Sequence, residues 1–310
     1  MTRNQKNYRN QQTIARPAKV EGFGFWSGLD NIVEFRPAPP NTGITFVRAD
    51  LAGQPRIAAR IENHADALRR TTLAAGNASV EMVEHLMAAL YGLQIDNCEV
   101  WMTRAEMPGF DGSSVAFVNA LLEAGIVMQS APRQVIVIDE TIRVGDEVSW
   151  IIAKPFPSIQ HSAADAAPRS SSEGKLRITY DLNYPDCRVI GQQQIQVQIE
   201  PVAFREELAG ARTFLIDHEA EWLRQHGIGR RVTYQDVLVY GEHGPINNQL
   251  RFDDECVRHK TLDVIGDLAL VGADLAGEIH AHRSGHTLNA EMVRELNKRY
   301  CSVSWESKVA

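Results

Sequence analysis

Apolar and polar positions alternate through KVEGFGFWSGL and NIVEFRPAPPNTGITFVR, from Lys19 to Arg48, and Pro39-Pro40-Asn41-Thr42-Gly43 interrupts the second run. Period-two patterning broken by a Pro/Gly cluster predicts strands joined by a loop. Gly22, Gly24 and Gly28 resemble a dinucleotide loop only in spacing. The residues after them are strand-like, so no helix follows to receive a pyrophosphate. The period changes in SVEMVEHLMAALYG, where a helix is predicted from a Ser79 cap through Tyr91, ended by Gly92. With Val80 at zero, Val83, Leu86, Met87, Leu90 and Tyr91 cluster between roughly 240° and 20°, His85 falls near ~140° and Glu84 near ~40°. His85 therefore points off this helix's apolar face, and Glu84 lies on its flank. CEVWMTRAEMPGFDGSSVAFVNALLEAGI then reads as a strand, a Pro-Gly and an Asp-Gly turn, and a helix from Ser113/Ser114 to Gly125.

APRQ at 131–134 is the expected domain boundary. Strands are predicted in VIVIDETIRV and VSWIIAKPF, followed at 157–174 by a small, polar, aperiodic stretch expected to be a mobile insertion within a hairpin, with His161 solvated inside it. LRITYDLNY and QQQIQVQIE are further strands, and PVAFREELAGARTFLIDHEAEWLRQHGI carries helical turns around a break at Ala209 to Ala211. GEIHAHR predicts a strand with Glu278, His280 and His282 on one face and Ile279 and Ala281 on the other. The elements imply an α+β fold of two domains, each a helix layer packed on a β-sheet. Residues 1–12 are expected as a polar tail, 13–130 as the first domain and 131–305 as the second.

Composition narrows the class. A chain of 310 residues, 44% hydrophobic and 23% charged, is long enough for two cores and ordinary for a globular protein. No apolar run reaches the length of a membrane span, and the polar, basic start lacks the apolar core of a secretory signal, so a cytoplasmic location is expected. A net charge of −7 argues against a nucleic-acid surface and for a small-molecule partner. Cys98, Cys187, Cys256 and Cys301 are far apart, which fits reduced thiols; Cys256 reads as a packing residue.

The chemistry concentrates in CVRHKTLDVIGDLALVGADLAGEIHAHRSGH, Cys256 to His286. Taking His259 as zero on the helical wheel, Asp263 falls near ~40° and Asp267 near ~80°, opposite Val257, Val264, Ile265 and Leu268. An imidazole and a carboxylate one turn apart are how a helix offers two ligands to one Zn²⁺. Such pairs also occur on solvated helix faces. Asp267 is placed to orient another group. His280 with His282 forms a rival metal site, or simply the solvent face of a strand.

Six separated blocks, RPAPPNTGI, VEHLMAALYGLQIDN, PGFDGSS, ARTF, LRFDDECVRHKTLDVIGDLAL and SGHTLN, occur in one order between Arg36 and Asn289, within a likeness that runs from about residue 13 to about 305. In these the chain resembles the zinc-dependent UDP-3-O-acyl-N-acetylglucosamine deacetylases of lipid A biosynthesis. The resemblance implies a metal site of His85, His259 and Asp263 in a cleft between two domains, holding Zn²⁺, with Fe²⁺ the alternative for the same ligands. It implies Glu84 as general base, Thr213 as oxyanion donor and His286, held protonated by Asp267, as acid. Lys260 and Phe214 correspond to substrate-contacting residues, and the substrate is a UDP-acyl-sugar. The chain departs from the family pattern at Trp26, where a histidine is usual, at Cys256, where an aromatic is usual, at His280 and His282, and through HGIGRRVTYQDVLVYGEHGPINN, which replaces a glycine-rich segment. A zinc amidohydrolase for another N-acyl sugar nucleotide and a non-catalytic binding protein on the same fold are the competing readings. Oligomeric state and acyl length are not legible.

Overall fold

The computed structural model describes residues 5–6, 9–156 and 174–301. The expected insertion, His161 included, lies outside the described residues apart from Gly174. Two sheets carry the chain. The first runs Ala18–Phe23, Asp30–Pro37, Cys98–Met102, Ile44–Arg48, Arg56–Ala58, antiparallel except where Cys98–Met102 lies parallel to Ile44–Arg48. The second centres on Asp274–His282, which pairs in parallel with Val135–Val137 and Leu176–Tyr184 and antiparallel with Trp150–Lys154. Gly191–Ile199 extends it, and its buried Ile195, Val197 and Ile199 alternate with polar glutamines as the pattern predicts.

The polar start is part of the fold: Gln5–Lys6 pairs with Val135–Val137, and Asn10–Ile14 with Ile126–Pro132. The sequence from 131 to 134 thus begins inside a strand. VIVIDETIRV is two strands, Val135–Val137 and Ile142–Gly145, because the Asp-Glu-Thr between them turns the chain.

Helices Glu84–Gly92 and Val115–Glu123 belong with the first sheet, Glu255–Leu268 and His286–Tyr300 with the second. One helix start needs correction. Ser79 does not cap a helix; Ala78–Glu81 is a strand paired with Thr72–Ala75 across Gly76-Asn77. Met82, with φ of 56°, ends the strand in the left-handed region, and the helix starts at Glu84. A short Ala-Ser-Val-Glu alternation with a local partner overrode the helical period.

The two helix layers meet where Glu84–Gly92 crosses Glu255–Leu268. Gly266 makes the approach possible, since a Cβ there would stand 2.1 Å from the Glu84 carbonyl oxygen. Elsewhere Arg9 bridges Asp96 and Asp274 at 2.6 and 2.8 Å, and Arg133 joins both carboxylates at 3.0 and 2.9 Å. Helix contact and ion cluster together fix one layer against the other.

Candidate metal centre and cleft

The crossing puts polar side chains of both helices into one dry space. Glu84, His85, His259, Asp263 and Asp267 are all buried, so the polar faces read from the helical wheels are turned toward each other and away from solvent. His85 and His259 stand edge to face with ring centroids 5.0 Å apart. Asp263 Oδ1 lies 3.4 Å from His259 Nε2 and 3.8 Å from His85 Nε2. Ligand atoms of the three residues all fall within 4.8 Å of one another.

Three observations fit this group to a divalent cation. Asp263 Oδ1 is buried with no hydrogen-bond partner among the described residues, a costly orphan unless a cation satisfies it. His259 Nδ1 donates to the Ala211 carbonyl at 3.1 Å, which leaves the Nε2 lone pair facing the centre. Burial first, then the neighbouring imidazole, holds His85 down at about 3, so it is neutral and ready to ligate. Burial works against charge on Asp263, but Lys260 and the imidazoles around it hold the carboxyl well below its usual range. Lys260 Nζ donates to the other oxygen, Oδ2, at 2.6 Å, fixing the carboxylate's rotation.

Around the trio stand a carboxyl and an imidazole with shifted proton affinities. Burial pushes Glu84 up to about 7 against the pull of His286. His286 begins its helix, where burial and the helix N-terminus both disfavour an imidazolium; the Asp267 carboxylate overrides them and raises it to about 9. His286 Nδ1 donates to Asp267 Oδ2 at 2.9 Å, and Asn289 Nδ2 donates to the same oxygen at 2.8 Å. Nε2 is left for the cleft. Met82 and Arg283, both with positive φ, precede Glu84 and His286 by two and three residues. Such strain is held by surrounding structure and gathers at functional sites.

ARTF serves the site one residue at a time. Ala211 orients His259. Arg212 Nε pairs with the buried Glu255 at 2.8 Å, tying the segment to the first turn of the Glu255–Leu268 helix. Thr213 lines the cleft, its N–H held by the Gly112 carbonyl at 2.8 Å. Phe214 packs edge-on against His259, Tyr184 and Tyr240. From PGFDGSS, Ser114 Oγ donates to the His85 carbonyl at 2.8 Å. All nine candidate residues except Asp267 line one cavity of about 630 Å³, and Asp267 reaches it through His286.

Part of the cavity lining is apolar, including Leu182, Leu215, Leu223, Ile228, Val232 and Val239. Several of these come from the departing 226–248 segment. Trp26 also lines the cavity, with the Arg70 guanidinium 4.5 Å from its ring centroid. The glycine-rich turn before it wraps a carboxylate of the chain itself: Glu106 accepts the N–H groups of Trp26 and Ser27, both at 2.7 Å. No three-ligand group forms at His280 and His282 among the described residues. His280 Nε2 instead pairs with Asp181 at 2.7 Å, and His282 stacks on Trp150. Cys256 is buried beside the Tyr240 hydroxyl. Ala211 and Arg212, which orient His259 and pair with Glu255, carry no spacing signal of their own, although both lie inside ARTF.

Two helix-on-sheet layers enclosing a buried His-His-Asp group, with a carboxylate and an imidazolium alongside, make an α+β enzyme of the metal-dependent kind. A family model described as UDP-3-O-acyl N-acetylglycosamine deacetylase matches residues 11–298, and the chain belongs to that family. It is similar to proteins named UDP-3-O-acyl-N-acetylglucosamine deacetylase from Oleidesulfovibrio alaskensis, 37% identical over 290 residues covering 93% of this chain and 89% of the relative, and from Geobacter sp. strain M21, 37% identical over 292 residues with the same coverage. A relative of that name from Thermosynechococcus vestitus is 36% identical over 286 residues, 92% of this chain and 93% of its own.

Proposed function

We propose that the chain hydrolyses the N-acetyl group of UDP-3-O-acyl-N-acetylglucosamine, releasing acetate and the free amine, in lipid A biosynthesis in the cytoplasm. The observation that carries this reading is the buried, unpartnered Asp263 Oδ1 between two neutral imidazoles, with Glu84 beside them. The relatives' names supply the substrate, and the cavity lining suits it: apolar side chains able to face an acyl chain share its walls with the polar centre. His85, His259 and Asp263 would hold Zn²⁺, or Fe²⁺ with the same donors. When bound, such an ion supplies Lewis-acid activation of water and of the amide carbonyl.

The chain's own groups handle the protons and the developing charge. Glu84 takes a proton from the water as its oxygen adds to the acetyl carbon. The Thr213 hydroxyl donates to the carbonyl oxygen as that oxygen gains charge. His286 Nε2–H delivers a proton to the sugar nitrogen as the C–N bond breaks, leaving acetate. Asp267 keeps His286 protonated and aimed, and Lys260 and Phe214 contact the substrate from the wall of the cavity. Two domains that divide close to the Ile126–Pro132 strand bring these groups together.

The test is hydrolysis of UDP-3-O-acyl-N-acetylglucosamine by purified protein, with metal content measured on the same sample. Activity proportional to bound zinc or iron is the expected result. A fully metallated, folded protein that releases no acetate would sink the reading.

A further inference from the structure

Thr71 stands immediately before the Thr72–Ala75 strand and is 1% exposed. Its backbone N–H donates to Glu84 Oε2 at 3.0 Å, and its carbonyl accepts the Val83 N–H at 3.3 Å. Its hydroxyl reaches the other layer, where it donates to Asp267 Oδ1 and lies 3.2 Å from His286 Nδ1. The donor roles follow from chemistry. An ionised carboxylate only accepts, so the hydroxyl proton goes to Asp267, and the hydroxyl oxygen faces the Nδ1–H that Asp267 Oδ2 also accepts. The adjacent Thr72 provides a contrast, because its hydroxyl is buried with no hydrogen-bond partner among the described residues.

We propose that Thr71 is a positioning residue that couples the base to the acid, its N–H setting the Glu84 carboxylate and its hydroxyl setting the Asp267–His286 pair. The proposal rests on the deacetylase reading for the roles of Glu84 and His286. Thr71 is not among the residues lining the cavity, so it acts only through these partners. The backbone link survives any side-chain change, whereas the hydroxyl link does not. Without Oγ1, Asp267 Oδ1 loses its donor and the imidazole loses one of the two acceptors that fix its ring plane. Nε2 then points into the cleft over a wider range of angles. The loss falls on turnover, because the substrate meets the same cavity wall.

The experiment compares Thr71→Val, Thr71→Ser and Thr72→Val with the wild-type metalloenzyme, recording kcat, KM, bound metal and melting temperature for each. Thr71→Val should lower kcat by about 10- to 100-fold, the scale of outer-shell positioning losses, with KM and metal content within about twofold. Thr71→Ser should recover most of that loss, and Thr72→Val should match wild type. A Thr71→Val enzyme with unchanged kcat, a loss confined to KM or metal content, no recovery in Thr71→Ser, or an equal loss in Thr72→Val would each overturn the proposal. If Thr71→Val does not fold, Thr71→Ala carries the same expectations and limits. The His286 Nδ1 proton, read by NMR of ring-labelled protein, separates this proposal from the function. In a chain without deacetylase activity it should still be protected in wild type and in Thr71→Ser and exchange faster in the Thr71→Val or Thr71→Ala variant, and equal exchange in all three overturns the positioning role.

Discussion

Gly266 lies against the Glu84 carbonyl so closely that a methyl group would stand 2.1 Å from it. The atom it meets is backbone, which cannot swing aside. Gly266→Ala must therefore push the two central helices apart, and with them His85 from His259 and Asp263. Overpacking of this kind costs about 1–3 kcal/mol. The variant should melt lower and bind metal more weakly than wild type, read by thermal denaturation and metal titration. Unchanged metal affinity would mean that the ligand set does not depend on this approach.

Ligand and base should separate by metal content. His259→Ala and Asp263→Ala are expected to lose metal and at least about 100-fold in activity together. Glu84→Ala should keep its metal and lose about 100- to 10,000-fold in turnover, the range of a general base. Elemental analysis beside kcat distinguishes the two outcomes. Asp263→Ala also strips Lys260 of its carboxylate partner, so its melting temperature should fall further than that of His259→Ala.

Much of this site was legible because its chemistry is local. His259, Asp263 and Asp267 recur at helical spacing, and that period survives in the fold. What the sequence does not encode locally is which surface a polar face meets. The wheel put His85 off its helix's apolar side, and solvent and a second helix look the same from there; Gly266 decides between them. Val80 and Glu81, which belong to the Ala78–Glu81 strand, pass for the first helical residues after a Ser79 cap because Val80 also fits the helical period, and Met82 is a non-glycine residue at positive φ that nothing in composition marks. Thr71 was invisible for a different reason: its importance lies in three partners at sequence separations of 13, 196 and 215.

Activity should be bell-shaped in pH. Glu84 must be ionised, so the rate rises as pH climbs through its value of about 7, a limb that the charge of a bound cation moves lower. His286 must be protonated, so the rate falls as pH passes its value of about 9 in the metal-free chain, a limb that the cation's charge also moves lower. Asp267 raises His286, hence Asp267→Asn should move the alkaline limb down while metal stays bound. An unmoved limb in a metallated Asp267→Asn enzyme would show that His286 is not the titrating acid.

Chelation should lower the melting temperature. A cation that binds the folded chain and not the unfolded one stabilises it by about 2.7 kcal/mol at a hundredfold excess over Kd. Adding EDTA should remove that increment, and Zn²⁺ should restore it. In Asp263→Ala neither addition should move the transition.

The two imidazoles proposed as ligands, His85 and His259, lie on helices of different layers, so no fragment that stops short of the second helix can own the proposed site. During synthesis the first imidazole leaves the ribosome long before its companions exist. On that proposed ligand set metal loading would be a late event that reports completed tertiary assembly, and a chain truncated or misdocked in its second half would emerge both unmetallated and inert.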